Sequence, residues 1–214
     1  GYRRCMRAPD TADTADDPHG VALCILGGGP AAMAAARGFR AVRGTGRIAM
    51  VADEGRLPYR RPPLTKELLR REMTADELPL ADDRWPVSHG VELVTEHAMT
   101  LDLAARTVGL ASGRTIAWDR CVLATGAEPE RLPVPGADDP GVRVLRSYGD
   151  FLALEAALRP DARVVVVGSG FIGCEIAASL RARGLPVCLV TDEEVPQGTR
   201  LGDEVGTRIA TWLR

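Results

Sequence analysis

The stretch that most constrains the fold is a glycine turn set between two apolar runs. Val21-Ala22-Leu23-Cys24-Ile25-Leu26 is short and unbroken, which suits a parallel strand buried on both faces. Gly27-Gly28-Gly29-Pro30-Ala31-Ala32 follows directly, and an Ala-rich run to about Val42 reads as a helix. Arg47 to Ala52 is a second apolar strand that ends on Asp53-Glu54. Strand, glycine turn, helix, strand and acid make one βαβ unit carrying a dinucleotide fingerprint.

Each position in that unit has a physical task. Gly27 makes the tight turn out of the strand. Gly29 lacks a Cβ, so a pyrophosphate can approach the backbone. Ala32 is the third small residue, where helix and strand pack closely. Pro30 suits a first helical position, where its missing N–H is not needed. The remaining first-turn N–H groups and the positive end of the helix dipole then face the phosphates. Asp53 and Glu54 can accept from ribose hydroxyls. An ordinary α/β turn is the competing reading; the flanking strands, helix and acid favour nucleotide binding.

A second unit repeats the pattern. Arg163-Val164-Val165-Val166-Val167 is a β-branched strand leading into Gly168-Ser169-Gly170-Phe171-Ile172-Gly173, a full G-x-G-x-x-G. A helix from Cys174 to Arg183 ends at Gly184, and Val187 to Val190 is the next strand. Two fingerprints in one chain imply two dinucleotides. Asp192 and Glu193 after that strand favour a free 2′-hydroxyl over a 2′-phosphate, hence NADH over NADPH. Arg200 is a later cation that opposes this preference.

Between the units, Leu57 to Lys66 begins as a proline-stiffened loop, with a short helix expected only after Pro62 and Pro63. Lys66 is the chain's single lysine among many arginines. In a first helical turn its charge would oppose the dipole unless an anion or acidic partner met it; a solvated loop lysine is the alternative. Val91 to Val94, Ala98 to Leu101, Thr107 to Leu110 and Thr115 to Trp118 read as short strands, an inserted strand and an antiparallel meander. Arg120 to Ala124 is a further buried strand entering Thr125-Gly126-Ala127, and such strand ends are where ligands bind in open α/β sheets. Prolines between 129 and 146 mark a linker. The expected organisation is a disordered tail (1–20), a first dinucleotide domain (21–128), the linker (129–146) and the beginning of a second domain (147–214). The fold class is α/β, with two Rossmann-like three-layer units, the second incomplete.

Composition narrows the class. The 214 residues are 45% hydrophobic with net charge −2, a globular balance with no electrostatic footprint for nucleic acid. No apolar run is long enough to span a membrane, and no secretory leader is evident. The five cysteines form no C-x-x-C, so disulfide-reductase chemistry is disfavoured; Cys24, Cys121 and Cys188 lie in apolar strand-like runs and are expected as buried free thiols, and an odd count spread this way fits a reducing cytoplasm. His19, His89 and His97 lie apart and suggest surface positions rather than a metal site. The chain opens on Gly1, and Met6 is a candidate natural start.

With these residues in view, the chain resembles the FAD-dependent pyridine nucleotide oxidoreductases of the ferredoxin/rubredoxin reductase and apoptosis-inducing-factor group. The resemblance rests on Gly27-x-Gly29-x-x-Ala32, Arg61-Pro62-Pro63-Leu64-Thr65-Lys66-Glu67-Leu68, Leu123-Ala124-Thr125-Gly126-Ala127 and Gly168-x-Gly170-Phe171-Ile172-Gly173-Cys174-Glu175. It implies FAD at Gly27, Gly29, Pro30 and Ala32, with Asp53 and Glu54 near the ribose and Ala98 near the adenine. It also implies Arg61, Lys66, Thr125, Gly126 and Ala127 around the flavin, and Glu175 paired with Lys66. NAD is implied at the second fingerprint, and a ferredoxin-like protein or small molecule as electron acceptor. Members are typically near twice this length, and their returning Gly-Asp segment is not found here. The chain is therefore expected to be truncated after its second fingerprint. That leaves two functional expectations: a flavoprotein reductase, or a non-catalytic dinucleotide-binding protein or split half completed by its own copy or a partner chain.

Overall fold

The computed structural model describes residues 20–214, so the expected tail, with Cys5, Met6 and His19, lies outside the described residues. The chain divides into two compact units. The first comprises the described chain up to Pro58 together with Ala81–Thr125; the second comprises Tyr59–Leu80 and Gly126–Arg214.

The first unit contains β1 (Val21–Leu26), α1 (Pro30–Ala41), β2 (Ile48–Val51), the single-turn α2 (Trp85–Ser88), β3 (Val91–Val94), β4 (Ala98–Asp102), β5 (Thr107–Leu110) and β6 (Thr115–Leu123). Its six strands lie in the order β3-β2-β1-β6-β5-β4. The pairs β3-β2, β2-β1 and β1-β6 are parallel, whereas β6-β5 and β5-β4 are antiparallel. The unbroken apolar runs of β1 and β2 follow from burial of both faces. Leu23, Ile25, Ile48 and Met50 share one face. Cys24, Leu26, Ala49 and Val51 share the other, in one cluster with Val108, Leu110 and Ile116 of the meander.

One expectation needs correction here. Thr115 to Trp118 and Arg120 to Ala124 are not two strands but the single strand β6. Its first part pairs antiparallel with β5 and its second parallel with β1. The polar Asp119-Arg120 step reads as a break in the sequence, yet both residues are exposed and the ladder runs through them.

The second unit contains 3₁₀ turns at Pro62–Thr65 and Ala75–Glu77, then α3 (Tyr148–Ala157), β7 (Val164–Val167), α4 (Phe171–Ala182), β8 (Val187–Val190), α5 (Gly198–Leu201) and α6 (Asp203–Trp212). Tyr59, Leu64, Leu68, Leu69, Leu78, Phe151, Leu180 and Leu185 form its core. Each leucine buried there contributes on the order of 2 kcal/mol. Ser147 caps α3 through a reciprocal box with Asp150. The expected helix after Pro63 is also corrected. The 3₁₀ turn takes Pro62 and Pro63 as its first residues, where no N–H is required, and Lys66 closes it. Lys66 is therefore at the carboxyl end of a turn, not in a first helical turn, and the dipole objection to its charge disappears.

β7 and β8 pair in parallel as a two-stranded sheet. Val166 is buried, while Val165, Val167 and Val190 are 61%, 56% and 46% exposed. The register matches Val165 with Cys188 and Val167 with Val190, so these residues form one open apolar face.

Candidate functional site: two glycine turns and a lysine–glutamate pair

In the first unit the turn after β1 is fixed by its neighbours. The Gly27 N–H donates to Val51 O at 2.8 Å. Gly27 has φ +124°, and a Cβ there would lie 2.1 Å from Ala124 O. Only glycine satisfies both conditions. Gly29 is the N-cap of α1 and its missing Cβ faces open space, with nothing within 4 Å. Pro30 begins the helix and Ala32 is fully buried. Thr125, just past β6, is exposed. Because β1 and β6 are parallel neighbours, Gly27 and Thr125 come from the same end of the sheet.

Asp53 follows β2 and is exposed. Its Oδ2 lies 3.1 Å from His97 Nδ1, and His97 immediately precedes Ala98. Sequence reasoning placed His97 on the surface without a role. It is exposed, but it stands beside the acid expected at the ribose; its position next to Ala98 was the available signal.

In the second unit, Lys66 Nζ lies 3.4 Å from Glu175 Oε1. The Thr65 hydroxyl donates to Glu175 Oε2 at 2.5 Å. Both charged side chains are about one-third exposed, 32% and 35%, so the pair contributes at most about 1 kcal/mol to stability. Its value is geometric: Glu175 holds the one lysine in a fixed direction. Arg61 is committed to structure. Its guanidinium donates to the Tyr59 hydroxyl at 3.1 Å and to Arg146 O at 2.9 Å, and stacks over the Tyr59 ring. Ala127 O accepts from Arg146 Nε at 3.0 Å, and Gly126 has φ +76°.

The second glycine turn repeats the first in its essentials. Gly168 has φ +95° and donates to Val190 O at 2.7 Å. Gly170 is the N-cap of α4 and its Cβ position is open. A Cβ on Gly173 would lie 1.9 Å from Gly168 O, so the third small residue is required by helix–turn contact. Phe171 and Ile172, at the start of α4, are each 53% exposed, and the Arg200 guanidinium lies over the Phe171 ring.

The two acids after β8 separate. Asp192 is exposed. Glu193 accepts from Thr199 N at 3.2 Å, Ser169 Oγ at 3.0 Å and Gln197 N at 3.0 Å. Hydrogen bonds from Thr199 and then Ser169 hold its carboxyl below the usual carboxylate range. Glu193 thus braces the second turn, an engagement that spacing alone did not reveal.

The four described cysteines are free, and Cys188 is exposed rather than buried as its apolar run suggests, because it lies on the open face of the β7–β8 sheet. Cys24 and Cys121 are register partners on β1 and β6, a proximity hidden by their separation in sequence. Burial, with the Cys121 thiol beside it, pushes Cys24 up to about 12; burial also raises Cys121. Thiols so shifted are poor nucleophiles at neutral pH. No group of three or more metal-ligating side chains occurs among the described residues.

Both turns fit a dinucleotide. Each combines one glycine required by backbone geometry with one facing open space at a twelve-residue helix whose first N–H groups lack intrahelical acceptors.

Comparison with known proteins agrees. Residues 21–214 match the pyridine nucleotide-disulphide oxidoreductase family. The ferredoxin–NAD(+) reductase subunit of a benzene 1,2-dioxygenase system from Pseudomonas putida is 36% identical over 199 residues, covering 90% of this chain and 46% of that protein. Among solved structures, a covalent putidaredoxin reductase–putidaredoxin complex superposes with a TM-score of 0.82 at 30% identity, over 90% of this chain and 47% of that one. The NADH:rubredoxin oxidoreductase of Clostridium acetobutylicum gives 0.80 at 27%, over 90% and 50%. The chain spans about half the length of the curated relatives it matches. Proteins of this family use FAD and NAD(H). On the family match across both glycine turns, the chain belongs to the pyridine nucleotide-disulphide oxidoreductases, alongside their ferredoxin–NAD(+) reductases.

Proposed function

We propose that this chain is the dinucleotide-binding part of a flavoprotein reductase that takes reducing equivalents from NADH and delivers them to a ferredoxin-like protein. The observation that carries the reading is the repeated turn, each with one obligatory and one open glycine. Residues 21–128 are assigned to the FAD-binding domain, although Tyr59–Leu80 and the chain from Gly126 belong to the second compact unit, and 147–214 to the beginning of the NAD-binding domain, joined by 129–146.

Bound FAD would supply the exchange between a two-electron donor and a one-electron carrier. The rest of the work falls to the chain. Gly27, Gly29, Pro30 and Ala32 would receive the FAD pyrophosphate, Asp53 and Glu54 its ribose, and Ala98 the adenine edge through its backbone. Thr125, Gly126 and Ala127 would line the same cofactor, with Arg61 shaping the loop before Lys66. Lys66 would supply a positive charge that favours the electron-rich reduced flavin, and Glu175 would orient that charge. Gly168, Gly170, Phe171, Ile172 and Gly173 would receive NADH. Asp192 stays available to a ribose hydroxyl, while Glu193 holds the turn. The acceptor class follows relatives named for ferredoxin and rubredoxin reduction. Among the described residues no helix is long and apolar enough to cross a membrane, and the four described cysteines are free, which supports a reducing, cytoplasmic setting.

A second reading has its own support. The open face of Val165, Val167 and Val190 is apolar enough to need cover. It favours completion by further polypeptide, as in a split reductase with a partner chain or a second copy; a non-catalytic dinucleotide-binding protein would need the same cover.

The test is a visible absorption spectrum of the purified 214-residue chain with added FAD, followed by NADH without air. Stoichiometric flavin that bleaches supports the reductase reading. Flavin that binds without bleaching supports the split or non-catalytic reading. Absence of FAD binding overturns both as statements about this chain.

A further inference from the structure

Two residues on one face of α4 grip the residue that precedes Lys66. Glu175 accepts the Thr65 hydroxyl at 2.5 Å, and Ser179, one helical turn later, donates its own hydroxyl to Thr65 O at 2.7 Å. Thr65 is 6% exposed and Ser179 1%. A buried serine in a helix interior normally returns its hydroxyl to its own helix. Here it reaches a carbonyl 114 residues away in sequence. The Thr65 hydroxyl has one hydrogen and two acceptors in reach, Pro62 O at 3.2 Å and the Glu175 carboxylate. The shorter, charge-assisted bond to Glu175 is the stronger. Leu64 and Leu180 are buried beside the two gripped residues.

We infer that Ser179 is a positioning residue for Lys66. The inference rests on the proposed role of Lys66 and Glu175. Glu175 reaches the turn only through the Thr65 side chain, and the packing of Leu64 holds the turn without a directional bond to its main chain. The second bond, to a main-chain carbonyl, fixes the backbone from which the long lysine side chain starts. Lysine carries a large rotamer entropy, so its position depends on a fixed origin as well as a partner. Because the first turn of α4 also carries Phe171, Ile172 and Gly173, one helix sets both the second glycine turn and the lysine.

The composition supplies a clean probe, because Lys66 is the only lysine. In the full chain made with 13C,15N-lysine, the Nζ frequency read through the adjacent methylene protons is a single resonance, with neither FAD nor NADH present. Glu175→Gln defines the frequency of the broken pair. Ser179→Ala is expected to move the resonance more than half of the way to that value. Ser179→Thr, which keeps the hydroxyl, is expected to return it towards wild type. Leu185→Ala, which removes core packing beyond α4 without touching a hydroxyl, is expected to leave it in place while lowering the melting temperature. If Ser179→Ala does not fold, Ser179→Cys, similar in size but a weak donor, is read against the same scale. A Ser179→Ala or Ser179→Cys resonance at the wild-type position overturns the inference. So does a Leu185→Ala shift as large as theirs, or a Glu175→Gln spectrum equal to wild type. None of these readouts involves flavin, so failure here is distinct from failure to bind FAD.

Discussion

Glu193 accepts the Ser169 hydroxyl at 3.0 Å and thereby ties the end of β8 to the middle residue of the second glycine turn. The same carboxylate receives the backbone N–H groups of Gln197 and Thr199, and Gln197 in turn donates to Ser169 O at 3.0 Å. Three donors on one carboxylate explain why its titration is depressed. The sign follows from linkage. A carboxyl whose folded pKa lies below its unfolded value, roughly 4.3, stabilises the fold above that value and loses the contribution as pH falls through the folded pKa. Glu193→Gln is therefore expected to lower the melting temperature at pH 7, with the difference from wild type shrinking as pH falls below the unfolded carboxyl range and through the lowered folded pKa. Melting curves of both proteins across that range check it, and a constant difference at every pH would refute the assignment.

Gly27 and Gly29 of the first turn should respond in opposite ways. Gly27→Ala forces a Cβ to 2.1 Å from Ala124 O at φ +124°, and the expected cost is about 3 kcal/mol, read by urea unfolding. Gly29→Ala meets nothing within 4 Å, so the apo protein should keep its stability to within about 0.5 kcal/mol. Its new methyl occupies the space proposed for the pyrophosphate, so FAD binding should weaken at least tenfold, about 1.4 kcal/mol. Equal FAD affinity in Gly29→Ala and wild type would remove the first turn from the cofactor site.

What could be read from sequence, and what could not, divides along a physical line. β1 was legible to the residue because burial on both faces leaves an unbroken apolar run, and α1 nearly so because Pro30 and Gly29 mark its start. β6 was misread as two strands because it passes from one partner to another across exposed polar residues, and periodicity records environment, not hydrogen bonding. The turn at Pro62–Thr65 was misplaced because a proline bars only the interior of a helix, not its opening. Contacts such as Cys24 with Cys121, His97 with Asp53 and Ser179 with Thr65 depend on register and packing, which spacing along a chain does not encode. The glycine turns were legible because there the backbone itself, not a distant partner, selects the residue.

Arg40 closes the far side of the first unit with an unusual number of bonds. Its guanidinium donates to His89 O at 2.7 Å, Gly44 O at 2.9 Å, Gly46 O at 2.8 Å and Gly90 O at 3.2 Å. One side chain thus joins the end of α1, the loop into β2 and the loop into β3. Arg40→Ala should cost about 2 kcal/mol, a part-exposed charge-assisted cluster, while Arg40→Lys should recover only part because one ammonium cannot span the same carbonyls. Chemical denaturation of the three proteins measures the difference, and a lysine variant as stable as wild type would refute the geometric account.

The thiols give a last, kinetic prediction. Cys24 is fully buried, and burial with its neighbour Cys121 lifts it to about 12, so under one thiol in ten thousand is ionised at pH 7. Cys188, on the open face of the β7–β8 sheet, is exposed. Iodoacetamide at pH 7.5 should label Cys188 in the native protein, while Cys24 should react only on a timescale set by unfolding. Peptide mass mapping at intervals separates the two rates. Added urea should accelerate Cys24 steeply and Cys188 little. If Cys24 were labelled as fast as Cys188 in the native protein, the β1–β6 pairing that buries it would be wrong, and with it the sheet that brings Gly27 and Thr125 to one end. If instead Cys188 became protected on mixing with a candidate partner while Cys24 stayed unreactive, the cover for the open β7–β8 face would have been found.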